Sequence, residues 1–91
     1  MLIAAHADVT EDGAVKSGTG DLVGVLLTAG SAAATLILYD NASEASGTVL
    51  ASLKAGANTI ASWTPVLPYP FANGCYADIG GTGAEATVVY L

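Results

Sequence analysis

The sequence predicts an all-β protein: a single antiparallel β-sandwich or jelly roll of about seven to eight short strands. Short β-compatible runs recur about every eight to twelve residues, with Gly, Asn, Ser or Asp between them. Several runs alternate apolar and polar residues with a period of two, which is typical of half-buried strands. The chain has 91 residues and is 53% hydrophobic, so residues 1–91 are expected to form one folded domain.

The strands follow from this alternation. Between residues 48 and 53, the side chains of Val49, Ala51 and Leu53 are predicted to share the inward face, and those of the neighbouring Thr and Ser residues the outward face. The predicted strands, in chain order, are residues 2–7, 14–17, 22–28, 34–40, 48–53, 59–63, 75–79 and 86–91.

Residues 22–39 carry no charge, and an apolar run of about 18 residues raises the question of a membrane helix. Gly24 and Gly30 interrupt the run, Asp21 and Asp40 bound it, and neither flank is basic. We therefore predict two strands joined by a turn at residues 28–31, and no membrane partner.

Residues 64–71 contain three prolines, which remove backbone donors and exclude a central strand. This segment is predicted to be a stiff extended loop, with its aromatic residues packed across one end of the sandwich. Three predicted strands, around residues 22–27, 35–39 and 86–91, are partly apolar on both faces, so the rim of the other sheet, a loop or a neighbouring subunit is expected to cover their second face. The predicted interaction residues are Trp63, Tyr69, Phe71, Leu22, Leu26 and Tyr39.

The net charge is −6, with only Lys16 and Lys54 opposing eight acidic residues. Nucleic acids and anionic membranes are bound by clusters of Lys and Arg, so the charge argues against both. Only 11% of the residues are charged, against roughly 25% in an average globular chain. A domain this small cannot bury all of its apolar surface, so we expect a protein partner to cover the remainder.

Reactive groups are sparse. Cys75 is predicted to point inward with Ala77 and Ile79, as a core residue rather than a nucleophile. We therefore predict no enzymatic activity, no cofactor and no metal. Two acidic groups without diagnostic ligand spacing are interpreted as solvated turns: His6 with Asp8, Glu11 and Asp12, and Asp40 with Asn41 and Glu44.

Four segments carry a family resemblance: residues 35–41 (TLILYDN), 45–50 (ASGTVL), 71–77 (FANGCYA) and 81–88 (GTGAEATV). They resemble small structural proteins of tailed bacteriophages, in particular head decoration or cement proteins. The resemblance implies a compact β-sandwich or jelly roll, often trimeric, that sits on the capsid surface and braces neighbouring capsomers. The implied partners are further copies of the chain, as a homotrimer, and the phage major capsid protein.

Two points stay open. The aromatic residues are also compatible with a phage tail or fibre module that recognises a surface glycan or receptor. The resemblance has no counterpart for the first twenty residues. Residues 1–20 are therefore expected to form either the two short strands named above or a less regular amino-terminal arm that grips the capsid.

Overall fold

The structure is a computed structural model that describes residues 4–91, and within that range it contains strands and no helix. The predicted all-β sandwich is confirmed. The strands are β1 (Ala5–Val9), β2 (Gly13–Ser17), β3 (Gly20–Thr28), β4 (Ala34–Tyr39), β5 (Val49–Ala55), β6 (Ile60–Trp63), β7 (Tyr69–Phe71), β8 (Gly74–Gly80) and β9 (Glu85–Tyr90).

The strands form two antiparallel sheets. One sheet has the order β1-β9-β3-β6, with β7 also paired to β3, and the other has the order β2-β8-β4-β5. Strands β6 and β7 share one side of β3: β6 pairs with residues 25–28, and β7 pairs with residues 20–22. The chain therefore leaves the sheet after β6 and returns to the same edge at β7.

The core lies between the sheets and contains no polar or charged residue among the described residues. Cys75 and Ala77 are fully buried, as predicted, and Ile79 is half-buried against the core. Each fully buried large aliphatic side chain stabilises the fold by about 1.5–3 kcal/mol. The fully buried large side chains besides Cys75 are Leu22, Leu27, Leu36, Leu38 and Val88.

A β-bulge in β5 corrects one predicted face. Leu38 pairs with Ala51, but the next residue, Tyr39, pairs with Val49, which leaves Leu50 as an extra residue. The bulge reverses the alternation, so Leu50 and Ala51 are both buried and Val49 is exposed beside Tyr39 on the outer face. The predicted inward orientation is therefore wrong for Val49, whereas the other two predicted positions are buried.

The uncharged stretch forms two strands, as predicted. Strand β3 ends at Thr28 and β4 begins at Ala34, and the two strands belong to different sheets. Within residues 4–91, no helix is long and apolar enough to cross a membrane.

Residues 5–9 and 13–17 form the strands β1 and β2, so the alternative of a less regular arm does not describe these two segments. Strands β1 and β2 are edge strands of the two sheets, and the turn between them is fastened at Asp12, whose Oδ1 accepts a hydrogen bond from the backbone N–H of Ile79 (2.8 Å). The predicted strand over residues 2–7 is present from Ala5 onward, while Leu2 and Ile3 lie outside the described residues.

The proline-containing segment differs from its prediction in one respect. Residues 64–68 are irregular, as expected, but residues 69–71 form the short edge strand β7. An edge strand tolerates proline because only one of its sides needs hydrogen-bond donors.

Candidate functional site

Exposed large apolar side chains gather at one margin of the five-stranded sheet. Of the six such residues in the described part of the chain, all but Val49 lie on β3, β6, β7 or the loop between β6 and β7. Isolated exposed apolar residues are ordinary, whereas several along one margin of a sheet favour a contact surface. We call this group the apolar edge, and its members are Leu26, Ile60, Val66, Leu67 and Tyr69.

The tip of the β6–β7 loop is the most exposed part of the apolar edge. Val66 has 101% of its reference surface in solvent and Leu67 has 75%. Pro65 and Pro68 flank these two residues and restrict both their own backbone angles and those of the residues before them. The loop therefore holds two aliphatic side chains in water with little conformational freedom.

An aromatic pair closes the base of this loop. Trp63, the last residue of β6, and Tyr69, the first of β7, meet edge to face with ring centroids 6.0 Å apart and an interplanar angle of 83°. Trp63 also packs against the core. The pair anchors both ends of the loop to the sandwich. Binding of a partner to Val66 and Leu67 would therefore cost little conformational entropy in the loop.

The open side of β7 lacks a backbone donor. The N–H and C=O groups of Asp21 both bond to Leu91, at 3.1 and 2.8 Å, and therefore point away from β7. Asp21 is paired with Pro70, so the backbone nitrogen of Pro70 faces outward, where a further strand would add. Because proline has no N–H, this edge resists strand addition.

A small pocket lies beside the loop, between the edge strands β5 and β6. Ala51, Leu53 and Trp63 supply its apolar surface, and Ser52 and Ser62 supply hydroxyl groups. Its volume is about 280 Å³, which is at the lower limit of the roughly 300–1,000 Å³ of small-molecule sites. We call it the edge pocket.

Strands β6 and β7 and the loop between them carry no charge. Residues 55–77 contain no charged side chain in a protein of net charge −6. The other edge strands carry charges, Asp8 on β1, Lys16 on β2 and Lys54 on β5, whereas β6 and β7 carry none. Charged edge strands are protected from unintended pairing, so the margin formed by β6 and β7 is the one that is electrostatically open to a neutral partner.

Two of the six predicted interaction residues are buried and are corrected here. Leu22 is fully buried between the sheets, and Phe71 is 3% exposed, with its ring against the backbone of Gly20. Neither side chain reaches a partner in the folded protein. The other four divide into exposed Leu26 and Tyr69 and half-buried Trp63 and Tyr39.

Sequence reasoning missed Ile60, Val66 and Leu67. The sequence does indicate the exposure of Val66 and Leu67, because they lie between two prolines in a loop and so cannot be buried as part of a central strand. Ile60 gave no such signal because its orientation depends on the pairing of β6 with β3.

A second missed feature is a carboxylate held by backbone N–H groups. Oδ1 of Asp40 accepts hydrogen bonds from the N–H groups of Ala72 (3.1 Å), Asn73 (2.7 Å) and Gly74 (3.3 Å). The hydrogen bonds from Ala72 and Asn73, followed by that from Gly74, hold the pKa of Asp40 below its usual value, against a smaller opposing effect of desolvation. This contact fastens the end of β4 to the turn before β8.

The two acidic groups have structural contacts instead of a shared ligand. Asp8 Oδ1 accepts from Thr87 Oγ1 at 3.3 Å, and Asn41 Oδ1 accepts from the N–H groups of Ser43 and Glu44 in a local turn. Among the described residues, no group of three or more His, Cys, Asp or Glu side chains could hold a metal ion.

The Cys75 thiol is poorly suited to nucleophilic chemistry. Burial, and to a lesser degree the negative charge of Asp40, raises the pKa of Cys75 to about 11. A thiol with so high a pKa contains little of the reactive thiolate at neutral pH.

No family model, curated protein or solved structure matches the chain. The likeness to head decoration proteins therefore depends on the sequence motifs alone, and the functional argument depends on the apolar edge.

Proposed function

We propose that this chain is a non-catalytic structural protein that decorates and stabilises a phage capsid by binding its outer surface as an oligomer. The observation that carries the proposal is the stiff loop that holds Val66 and Leu67 in solvent. A small, apolar domain gains nothing for its own stability from such exposure, so the two side chains are best explained as anchors for another protein.

The strength expected of these anchors suits a repetitive assembly. Complete burial of one large aliphatic side chain contributes about 1.5–3 kcal/mol, so two of them give a weak contact per copy. On a lattice, many weak contacts act together, and a protein that binds the assembled shell but not its alternatives stabilises the shell by mass action. The homotrimer and the capsid surface are the parts of the proposal that come from the motif resemblance.

The alternative function, recognition of a glycan or receptor by a tail or fibre module, has weaker support. It needs a groove of exposed aromatic rings, but Phe71 is buried and Trp63 packs against the core. Tyr69 is the one predicted aromatic contact with a largely exposed side chain. The aliphatic character of the loop tip suits a protein surface better than a sugar.

The proposal is tested by co-sedimentation of the full chain with purified empty phage heads. The variants are Val66→Ser/Leu67→Ser and, as a matched control, Val49→Ser, which removes an exposed aliphatic group from the other sheet. We expect the unaltered chain and the control to saturate at a ratio set by the capsid lattice, and the double variant to bind at least about tenfold more weakly. Absence of saturable binding to any head preparation would refute capsid decoration.

A further inference from the structure

We propose that the apolar edge is occupied by a second copy of this chain, with Val66 and Leu67 of one copy entering the edge pocket of another. The inference rests on the oligomer of the proposed function. It assigns the Val66 and Leu67 anchors to the contact between copies and names the residues that receive them.

The edge pocket matches the loop tip in chemistry. Ala51, Leu53 and Trp63 present apolar surface, and its volume of about 280 Å³ suits aliphatic side chains. The loop of the same chain does not fill it, because Val66 and Leu67 stand in solvent. Each copy therefore carries an unfilled apolar pocket and an unburied apolar projection on the same margin of the fold.

The uncharged loop allows two copies of this acidic chain to approach each other. Two molecules of net charge −6 repel each other over most orientations, and they approach with least repulsion through a neutral face. Residues 55–77, which include the loop tip and part of the pocket, are uncharged. A basic partner would be drawn to the acidic side chains outside this stretch, and no feature of the loop would attract it.

The geometry also limits how the copies associate. Trp63 borders both the pocket and the loop, so the projection and its receptor lie side by side. Pro70 removes the donor that a strand added to β7 would need. Association therefore uses side chains in a pocket and does not extend the sheet through β7, and it forms a ring when the rotation between copies closes.

Disulfide cross-linking of mixed variants that each carry one added cysteine tests the contact directly. Leu67→Cys at the loop tip is mixed under mild oxidation with Ser62→Cys at the pocket, and the control mixture pairs Leu67→Cys with Val49→Cys on the other sheet. The native Cys75 is fully buried and does not compete. We expect linked heterodimers in the first mixture at least about tenfold above the control, because cross-linking needs the two Cα atoms within roughly 7 Å.

Sedimentation of the isolated protein, without heads, gives an independent measurement. We expect an oligomer whose association weakens about a hundredfold in Val66→Ser/Leu67→Ser and is unchanged in Val49→Ser, with circular dichroism showing that both variants remain folded. A monomer at all concentrations, or loop-to-loop cross-links without loop-to-pocket cross-links, would overturn the inference. A monomer that still binds heads would overturn this inference and the oligomer of the proposed function but leave capsid binding standing, and an oligomer that ignores heads would overturn capsid binding alone.

Discussion

Replacing Asp40 by Asn probes a carboxylate that accepts several backbone hydrogen bonds from a distant part of the chain. The substitution keeps the shape of the side chain, removes its charge and replaces one acceptor oxygen by an NH₂ group. In the native structure, Oδ1 accepts from the N–H groups of Ala72, Asn73 and Gly74, at 3.1, 2.7 and 3.3 Å, and Oδ2 also accepts from Ala72 at 3.1 Å. An amide offers these donors a neutral oxygen at best and an NH₂ group that repels them at worst.

The expected loss follows from these contacts and from exposure. A hydrogen bond to a charged group contributes about 1.5–3 kcal/mol when it is protected from water. This carboxylate is near solvent, where such contacts are strongly screened. We therefore expect Asp40→Asn to lower the free energy of unfolding by about 1 kcal/mol at pH 7, which is typical of the loss of a side-chain cap on backbone N–H groups.

The direction of the pKa shift makes the loss depend on pH. The pKa of Asp40 is lower in the folded protein than in the unfolded chain, so the carboxylate stabilises the fold fully above the unfolded pKa of about 3.9. That stabilisation disappears as the pH falls through the folded pKa. The difference between the unaltered protein and Asp40→Asn should therefore be complete at pH 7, shrink below about pH 4 and be smallest near pH 2.

Urea unfolding, followed by fluorescence of the single tryptophan, Trp63, measures both effects. Glu44→Gln is the matched control, because Glu44 is an exposed residue that follows the same strand and its replacement removes the same charge. Dilute protein limits any effect of self-association. Equal stability of Asp40→Asn and the unaltered protein at pH 7, or a deficit that persists unchanged near pH 2, would refute the assigned role of Asp40.

Three further outcomes are expected. Leu38→Ala should lower the free energy of unfolding by about 2–5 kcal/mol in the same urea assay, because Leu38 is fully buried between the sheets. Cys75 should resist a thiol reagent at pH 8 until the protein unfolds, since burial raises its pKa to about 11; rapid labelling of the native protein would contradict this. Pro70→Thr restores a backbone donor on the open side of β7 and should increase light scattering over time, whereas Pro65→Thr, outside the strand, should not.

Much of the fold was predictable because alternation of apolar residues reports directly on burial in a two-sheet protein. The inward positions of Cys75 and Ala77 followed from period two alone. The turn before β9 is also marked locally, because Gly81 and Gly83 adopt positive φ angles of 116° and 75° that glycine tolerates best. These features depend on local sequence, so the sequence was enough to find them.

The features that escaped prediction depend on residues far apart in the chain. The bulge at Leu50 is defined by the partner strand β4, and β7 is a strand only because β3 lies beside it. Asp40 meets the N–H groups of Ala72 to Gly74 across more than thirty residues. The apolar edge was predicted in part, because Tyr69 and Leu26 were named, but the exposure of Ile60 depends on the pairing of β6 with β3.

The arrangement of charge and proline on the sheet edges reduces a risk that this composition creates. A chain this apolar risks open-ended association at every exposed strand. Asp8, Lys16 and Lys54 place a charge on three of the edge strands, and on β7 Pro70 removes the outward donor. The remaining edge strand, β6, carries neither a charge nor a proline. In the proposed contact, Val66 and Leu67 would recognise the shape of a pocket and would not need backbone hydrogen bonds, as at other well-packed protein interfaces.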